Sequence, residues 1–247
     1  MSVFNHLIYF GLIILVTLWG FLATAIILLY MAVTYPFQGQ TPAYNYLYSK
    51  ILSLPLVRFL GWKIVCEGKE YLNLAQPCVY VANHQSNFDI VSYGPLFPAQ
   101  TVCIGKKELK WVPLFGQFFA ASGNIMIDRS NRTQAVAGLQ QAQEAMLEKG
   151  RSIWIFPEGT RNRGKSDLLP FKRGAFYMAI ASKRPIVAIV HQPLKTYLDA
   201  PRRKFKRTQI RIKVLPPFET AHLSLNDAHQ LLATVQNAMA EAIKSLV

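Results

Sequence analysis

His84 and Asp89 stand five residues apart in the segment Cys78 to Asp89, CVYVANHQSNFD. A histidine held by a carboxylate on one ring nitrogen can take a proton from a hydroxyl with the other, so this pair has the parts for general-base chemistry. On one helix, residues five apart point roughly 140° away from each other, so the two side chains meet only if the chain breaks between them. The segment supplies that break. Cys78 to Ala82 is an apolar β-type run, Asn83 is a turn residue, and Ser86 with Asp89 three later resembles a capping box. His84 is therefore expected in a turn, and Asp89 in the first turn of a helix from Ser86 to Gly94. Taken alone, the spacing also fits a plain helix-capping Asp89 beside an ordinary loop histidine.

Three further segments give the pair a context: GNIMIDR at 123 to 129, IFPEGTR at 155 to 161 and PIVAIV at 185 to 190. The chain has no G-x-S-x-G elbow, no P-loop, no G-x-G-x-x-G and no histidine or cysteine cluster with metal-ligand spacing. A covalent serine route, ATP and zinc therefore find no support, and no cofactor is expected. With GKKELKWVPLFGQ at 105 to 117 and LLPFKRGAF at 168 to 176, the four segments in this order resemble the glycerolipid acyltransferase family, in its bacterial 1-acylglycerol-3-phosphate branch. The resemblance covers roughly residues 60 to 220.

The resemblance implies acyl transfer from an acyl thioester, on acyl carrier protein or coenzyme A, to the 2-hydroxyl of lysophosphatidate, yielding phosphatidate. In that reading His84 is the base and Asp89 orients its ring, with backbone N–H groups at the start of the Ser86 helix as oxyanion donors. Glu158, Gly159 and Thr160 form a tight turn that sets Arg161 at its mouth. A guanidinium fork suits a phosphate there, Glu158 is available to glycerol hydroxyls or a basic neighbour, and Gly159 allows a backbone angle closed to other residues. Lys106 and Lys107 form a second candidate phosphate site, and Arg129 either touches substrate or pairs with Asp128. Ala188 departs from the family pattern, which tends to carry a proline within that strand.

Charge and hydropathy say where such a reaction would occur. The chain carries 27 Lys and Arg against 13 Asp and Glu, a net charge of +14, and between Asp167 and Glu219 there are twelve basic residues and a single acid, Asp199. Such a surface favours phosphates. From Gln209 to Leu215, Ile210, Ile212 and Val214 alternate with Arg211 and Lys213, which predicts a half-exposed strand with a basic outer face. Phe205 alone among the basic residues is no stacking platform for bases, so anionic headgroups and acidic acyl carrier protein fit better than nucleic acid. Leu7 to Val33 has no charged residue, and the first basic residue is Lys50. As a helix that run is about 40 Å long, enough to cross a hydrocarbon core or to fold as a hairpin in one leaflet with Thr41 to Leu60. It is too long for a cleaved signal peptide and has no basic n-region. Lys50, Arg58 and Lys63 follow it, which puts the catalytic part on the cytoplasmic side of the inner membrane.

Seven β-type runs alternate with helical patterns: Trp62 to Cys66, Cys78 to Ala82, Thr101 to Ile104, Asn124 to Ile127, Ser152 to Phe156, Ile186 to Val190 and Gln209 to Leu215. The expected fold is α/β, a mixed sheet of about seven strands flanked by helices, preceded by an apolar membrane helix or helical hairpin. Residues 1 to 60 are expected to form the membrane-embedded segment and 61 to 247 the catalytic domain. Cys66, Cys78 and Cys103, odd in number and each in an apolar run, read as buried reduced thiols. Two competing readings stand: a family member acting on glycerol 3-phosphate or another lyso-lipid, and a non-enzymatic protein binding anionic lipid, with His84 inert.

Overall fold

The computed structural model describes residues 3–128, 131–162, 168–194, 197–199 and 204–246. Two helices come first, α1 (Val3–Gln38) and α2 (Ala43–Phe59). Strands and helices then alternate: β1 (Trp62–Glu67), α3 (Tyr71–Leu74), β2 (Val79–Ala82), α4 (Asp89–Tyr93), β3 (Thr101–Lys106), α5 (Phe115–Ala121), β4 (Ile125–Ile127), α6 (Arg132–Lys149), β5 (Ser152–Ile155), α7 (Gly174–Ser182) and β6 (Ile186–His191). A small hairpin of β7 (Leu198–Asp199) and β8 (Lys204–Phe205) precedes β9 (Thr208–Val214), and α8 (Ala228–Leu246) follows.

Seven strands form one sheet in the order β1-β9-β6-β2-β5-β3-β4. β6, β2, β5, β3 and β4 are mutually parallel, whereas β9 runs antiparallel to β6 and parallel to β1. The fold is the expected one, a mixed α/β sheet flanked by helices with a long apolar helix in front. Central β2 and β6 are buried on both faces, which is why they read as unbroken apolar runs. Val79 and Val81 join a core with α6, α7 and α8, while Tyr80 and Ala82 join a second core on the opposite face with α1 and α2. Helix α6 is closed by capping residues at both ends. Asn131 accepts from the Gln134 N–H at 3.2 Å, and Gly150 ends the helix in the left-handed region at φ 59°.

The second face positions the site. Tyr44, Tyr48, Leu52 and Leu56 of α2 pack in one core with Tyr80, Trp154 and Val187. Asn45 and Asn124 exchange amide hydrogen bonds of 2.9 and 2.7 Å, fixing α2 to the β3–β4 side. Lys50 donates to the carbonyls of Gly94, Pro95 and Phe97 at 3.2, 2.8 and 3.2 Å, fixing it just beyond α4. Helix α1 lies against α2, with the Trp19 indole donating to the Leu52 carbonyl at 3.1 Å. Ala23, Ile27 and Met31 are covered, but Leu18, Leu29, Val33 and Phe37 are exposed, so α1 is apolar on both its packed and its open sides. Its stretch Phe10–Gln38, with a mean hydropathy of 2.7, is long and apolar enough to cross a membrane.

β9 alternates as read, with Arg211 and Lys213 partly exposed on its outer face; it lies inside the sheet, and both basic side chains come within 3.6 Å of Glu67 on β1. Arg202 and Arg203 of the basic stretch lie outside the described residues. Of the three thiols, Cys78 is buried but Cys66 and Cys103 are only partly covered, and burial pushes them up to about 11 for Cys66 and about 12 for the other two. Burial thus favours the protonated thiol at all three.

Candidate active site

At the carboxyl end of β2 the chain leaves the sheet without losing its pairing. Buried Asn83 accepts from the His191 N–H at 3.0 Å and donates to the His191 carbonyl at 3.2 Å, so a side chain continues the β2–β6 ladder. The Tyr93 hydroxyl donates to Asn83 Oδ1 at 2.5 Å. His84 then turns out of the sheet, and the loop after β5 holds its backbone from both ends. The His84 N–H donates to Glu158 Oε1 at 2.7 Å, and its carbonyl accepts from the Asn162 N–H, also at 2.7 Å. The imidazole stacks on Phe156, with ring centroids 4.1 Å apart and planes 16° apart. Its Nδ1 lies 2.6 Å from Asp89 Oδ2, and 23% of the side chain is exposed against 1% for Asp89. A carboxylate only accepts, so Nδ1 carries the hydrogen and the lone pair of the neutral ring is on Nε2.

Asp89 is the hub. It accepts from the N–H of Gln85 at 2.7 Å and of Ser86 at 3.1 Å, besides His84. Its other oxygen lies 3.2 Å from Nε2 of His191, a residue the sequence reading passed over. Burial pushes the Asp89 carboxyl up, but the hydrogen bonds from His191 and His84, with their charges, outweigh it and bring the group down to about 2. The helix expected from Ser86 starts only at Asp89, because the N–H groups of Gln85 and Ser86 turn inward to its carboxylate and the Phe88 N–H turns to Ser86 Oγ at 2.9 Å. The N–H groups of Gln85, Ser86 and Phe88 are thus engaged within the turn and do not face an oxyanion.

Of the remaining candidates, Glu158, Gly159, Thr160 and Arg161 lie in this same constellation. Buried Glu158 accepts from the N–H of His84 and, through Oε2, of Leu169 at 2.9 Å, so it braces two loops. Burial raises its carboxyl, against the two backbone hydrogen bonds. Gly159 has φ 69°, and a Cβ there would sit 2.7 Å from Lys172 Cε. Thr160 is exposed, and Arg161 donates to Asn87 Oδ1, in the turn between His84 and Asp89. Lys106 and Lys107 lie farther along the same carboxyl edge, at the end of β3. Lys106 pairs with Glu108 at 3.2 Å and Lys107 with Asp128, at the end of β4, at 2.5 Å. Arg129 lies outside the described residues. Between α1, α2 and the His84–Asp89 turn runs an apolar groove of about 350 Å³, lined by Gly20, Thr24, Leu52, Phe88 and Val91 among others.

The family model described as Acyltransferase matches residues 63–192, just the span from β1 to the end of β6. The chain belongs to the acyltransferase family. This acyltransferase is 34% identical over 191 residues to the 1-acyl-sn-glycerol-3-phosphate acyltransferase of Escherichia coli (strain K12), covering 77% of each chain. It is also 34% identical over 200 residues to the human 1-acyl-sn-glycerol-3-phosphate acyltransferase alpha, covering 80% of this chain and 70% of that one. Its fold matches the crystal structure of the 1-acyl-sn-glycerophosphate (LPA) acyltransferase PlsC from Thermotoga maritima with a TM-score of 0.66 at 21% identity, covering 94% and 97% of the two chains.

His191 was missed because its partner is 102 residues away. The one local signal was a polar residue closing the apolar run PIVAIV.

Proposed function

We propose that this acyltransferase moves a fatty acyl group from an acyl thioester, on acyl carrier protein or coenzyme A, to the sn-2 hydroxyl of 1-acyl-sn-glycerol 3-phosphate. The product is phosphatidate for phospholipid synthesis. The observation that carries the reading is the contact of buried Asp89 with the partly exposed His84 ring, which leaves Nε2 as the basic nitrogen. The names of the Escherichia coli and human relatives support the acceptor.

In this reaction His84 Nε2 takes the hydroxyl proton while the oxygen bonds to the thioester carbonyl carbon. The tetrahedral intermediate then collapses with breakage of the C–S bond, and His84 returns its proton to the departing sulfur. Asp89 opposes the charge that forms on the ring. A base so placed contributes about 10²- to 10⁴-fold in rate. Arg161, tied to Asn87 beside the base, takes the acceptor phosphate, with Glu158, Gly159 and Thr160 shaping its turn, and Lys106, Lys107 and Arg129 add positive charge. The apolar groove beside the turn supports a fatty chain as the transferred group.

Residues 1 to 60 serve as the membrane-embedded segment and 61 to 247 as the catalytic domain. The open side of α1, with Leu18, Leu29 and Val33 exposed, supports burial in lipid, and its packing against α2 favours a hairpin lying in one leaflet. Lys50, Arg58 and Lys63 after the apolar run support a cytoplasmic-side catalytic domain on the inner membrane.

The test is acyl transfer by the detergent-solubilised full chain to lysophosphatidate from each thioester, beside His84→Ala and with glycerol 3-phosphate as competing acceptor. Phosphatidate formed by the parent and not the variant is the expected result. Two folded proteins equally inactive on every acceptor would leave an anionic-lipid-binding protein as the better reading.

A further inference from the structure

The pairing of His84 with Asp89 does not account for the second histidine on the same carboxylate. His191 is completely buried, and its ring lies between two oxygens. Nδ1 is 2.7 Å from the Gln192 carbonyl, and Nε2 is 3.2 Å from Asp89 Oδ1. Both oxygens accept only: one is a backbone carbonyl, the other belongs to a carboxylate already receiving the N–H groups of Gln85, Ser86 and the His84 ring. A neutral imidazole has a single N–H, so either tautomer turns a lone pair toward an oxygen. Rotating the ring by half a turn presents carbons to both oxygens and satisfies neither. Only the imidazolium donates to both.

Resting on the reading of His84 as the base, we propose that His191 is a positioning residue for acyl transfer, held as the doubly protonated imidazolium in a neutral buried pair with Asp89. The groups around it agree. From α4 it meets Asp89 and Tyr93, whose ring lies 4.7 Å away and whose hydroxyl is turned to Asn83. β2 continues into Asn83, which takes both backbone groups of His191, and β9 pairs Ile212 with it. Glu158, in the loop after β5, spends its carboxylate on the N–H groups of His84 and Leu169. The arrangement has a consequence for the reaction. A cation behind Asp89 opposes a second cation on His84, so His191 favours the neutral ring that can act as a base.

Two measurements on the full chain in detergent test this. In ¹⁵N-histidine-labelled protein, the His191 signals are assigned by their loss in His191→Gln or through ring-to-Cβ correlations. Both ring nitrogens of His191 are expected to be protonated in the resting protein at neutral pH, and one bearing a lone pair overturns the proposal. In the second measurement, the acid limb of the pH–rate profile of His191→Gln is expected to move up by about one pH unit relative to the parent. A limb that stays in place while the rate falls marks a merely structural residue and also overturns the proposal. His84→Ala separates the two readings: if it remains active the base assignment fails, while the nitrogen spectrum still decides the state of His191.

Discussion

Two stretches of one sheet edge carry the candidate polar residues, and they are built differently. Where β6, β2 and β5 end, the groups are buried and held by several directed bonds: Asp89 receives His84, His191, Gln85 and Ser86, and Glu158 receives His84 and Leu169. Where β3 and β4 end, Lys106 and Lys107 reach Glu108 and Asp128 with the lysine side chains 57% and 43% exposed. The first stretch fixes the base and its carboxylate by several directed bonds at once, as proton transfer requires. The second holds each charge by a single, partly exposed ion pair, which solvent and salt screen. Both lie at the carboxyl ends of parallel strands, the usual place for ligands in such sheets. The first is also walled by Phe156 and by the α1–α2 face.

The contrast is tested most severely at His84. His84→Ala is expected to lower kcat by about 10³-fold while thermal unfolding changes little, since the ring is partly exposed and its backbone bonds remain. A comparable loss from any single lysine replacement on the β3–β4 stretch would break the comparison.

Asp89→Asn comes next, with a loss in kcat of about 10²-fold, because the amide removes the charge opposing the His84 imidazolium. It also turns a donor toward N–H groups that now meet an acceptor, at about 2 to 3 kcal/mol of stability near neutral pH. The sign of its pH dependence follows from the position of Asp89 at about 2, below the roughly 3.9 of an unfolded aspartate. An acid whose folded value is depressed contributes stability that is complete above the unfolded value and disappears as pH falls through the folded one. The stability gap between parent and Asp89→Asn, measured by thermal unfolding, should therefore be widest above about pH 4 and close toward pH 2. A gap constant over that range would mean that Asp89 is not held as a carboxylate.

What the sequence disclosed follows the same division between local and distant causes. The seven sheet strands were legible because each is a short apolar run bounded by turn residues, and the break between His84 and Asp89 because helical geometry demands one. The β7–β8 hairpin and α3 were not, since two-residue strands and a single helical turn carry no period to read. The partner of Lys107 was assigned no role toward it, because Asp128 is 21 residues away and is brought close only by the pairing of β3 with β4. His191 and the backbone targets of Glu158 were hidden likewise: strand order decides them, and strand order is a property of the whole chain. The late start of α4 was hidden by a local competition, in which the Asp89 carboxylate draws in N–H groups that a longer helix would have left at its first turn.

Arg161 lies between the two stretches in character, tied to Asn87 yet partly exposed. If its fork grips the acceptor phosphate, Arg161→Ala should raise KM for lysophosphatidate by about 30-fold with kcat changed much less, and Arg161→Lys should recover only part of that. Full recovery by lysine in steady-state kinetics would reduce Arg161 to a mobile charge and move it into the class of Lys106 and Lys107.

The smallest effect is expected at Lys107. Its ammonium is committed to Asp128 at 2.5 Å, so an incoming phosphate has to compete with a carboxylate already in place. Lys107→Ala should accordingly change kcat/KM by no more than about threefold, and by less as salt is added. Asp128→Asn is the sharper test, because it frees the lysine from its partner without removing it. If Lys107 serves the acceptor at all, the Asn variant should lower KM for lysophosphatidate at low salt, and Asp128→Asn combined with Lys107→Ala should abolish that gain. If KM is unmoved in both variants, the pair joins the end of β3 to the end of β4 and nothing more, and acceptor recognition belongs wholly to the buried stretch.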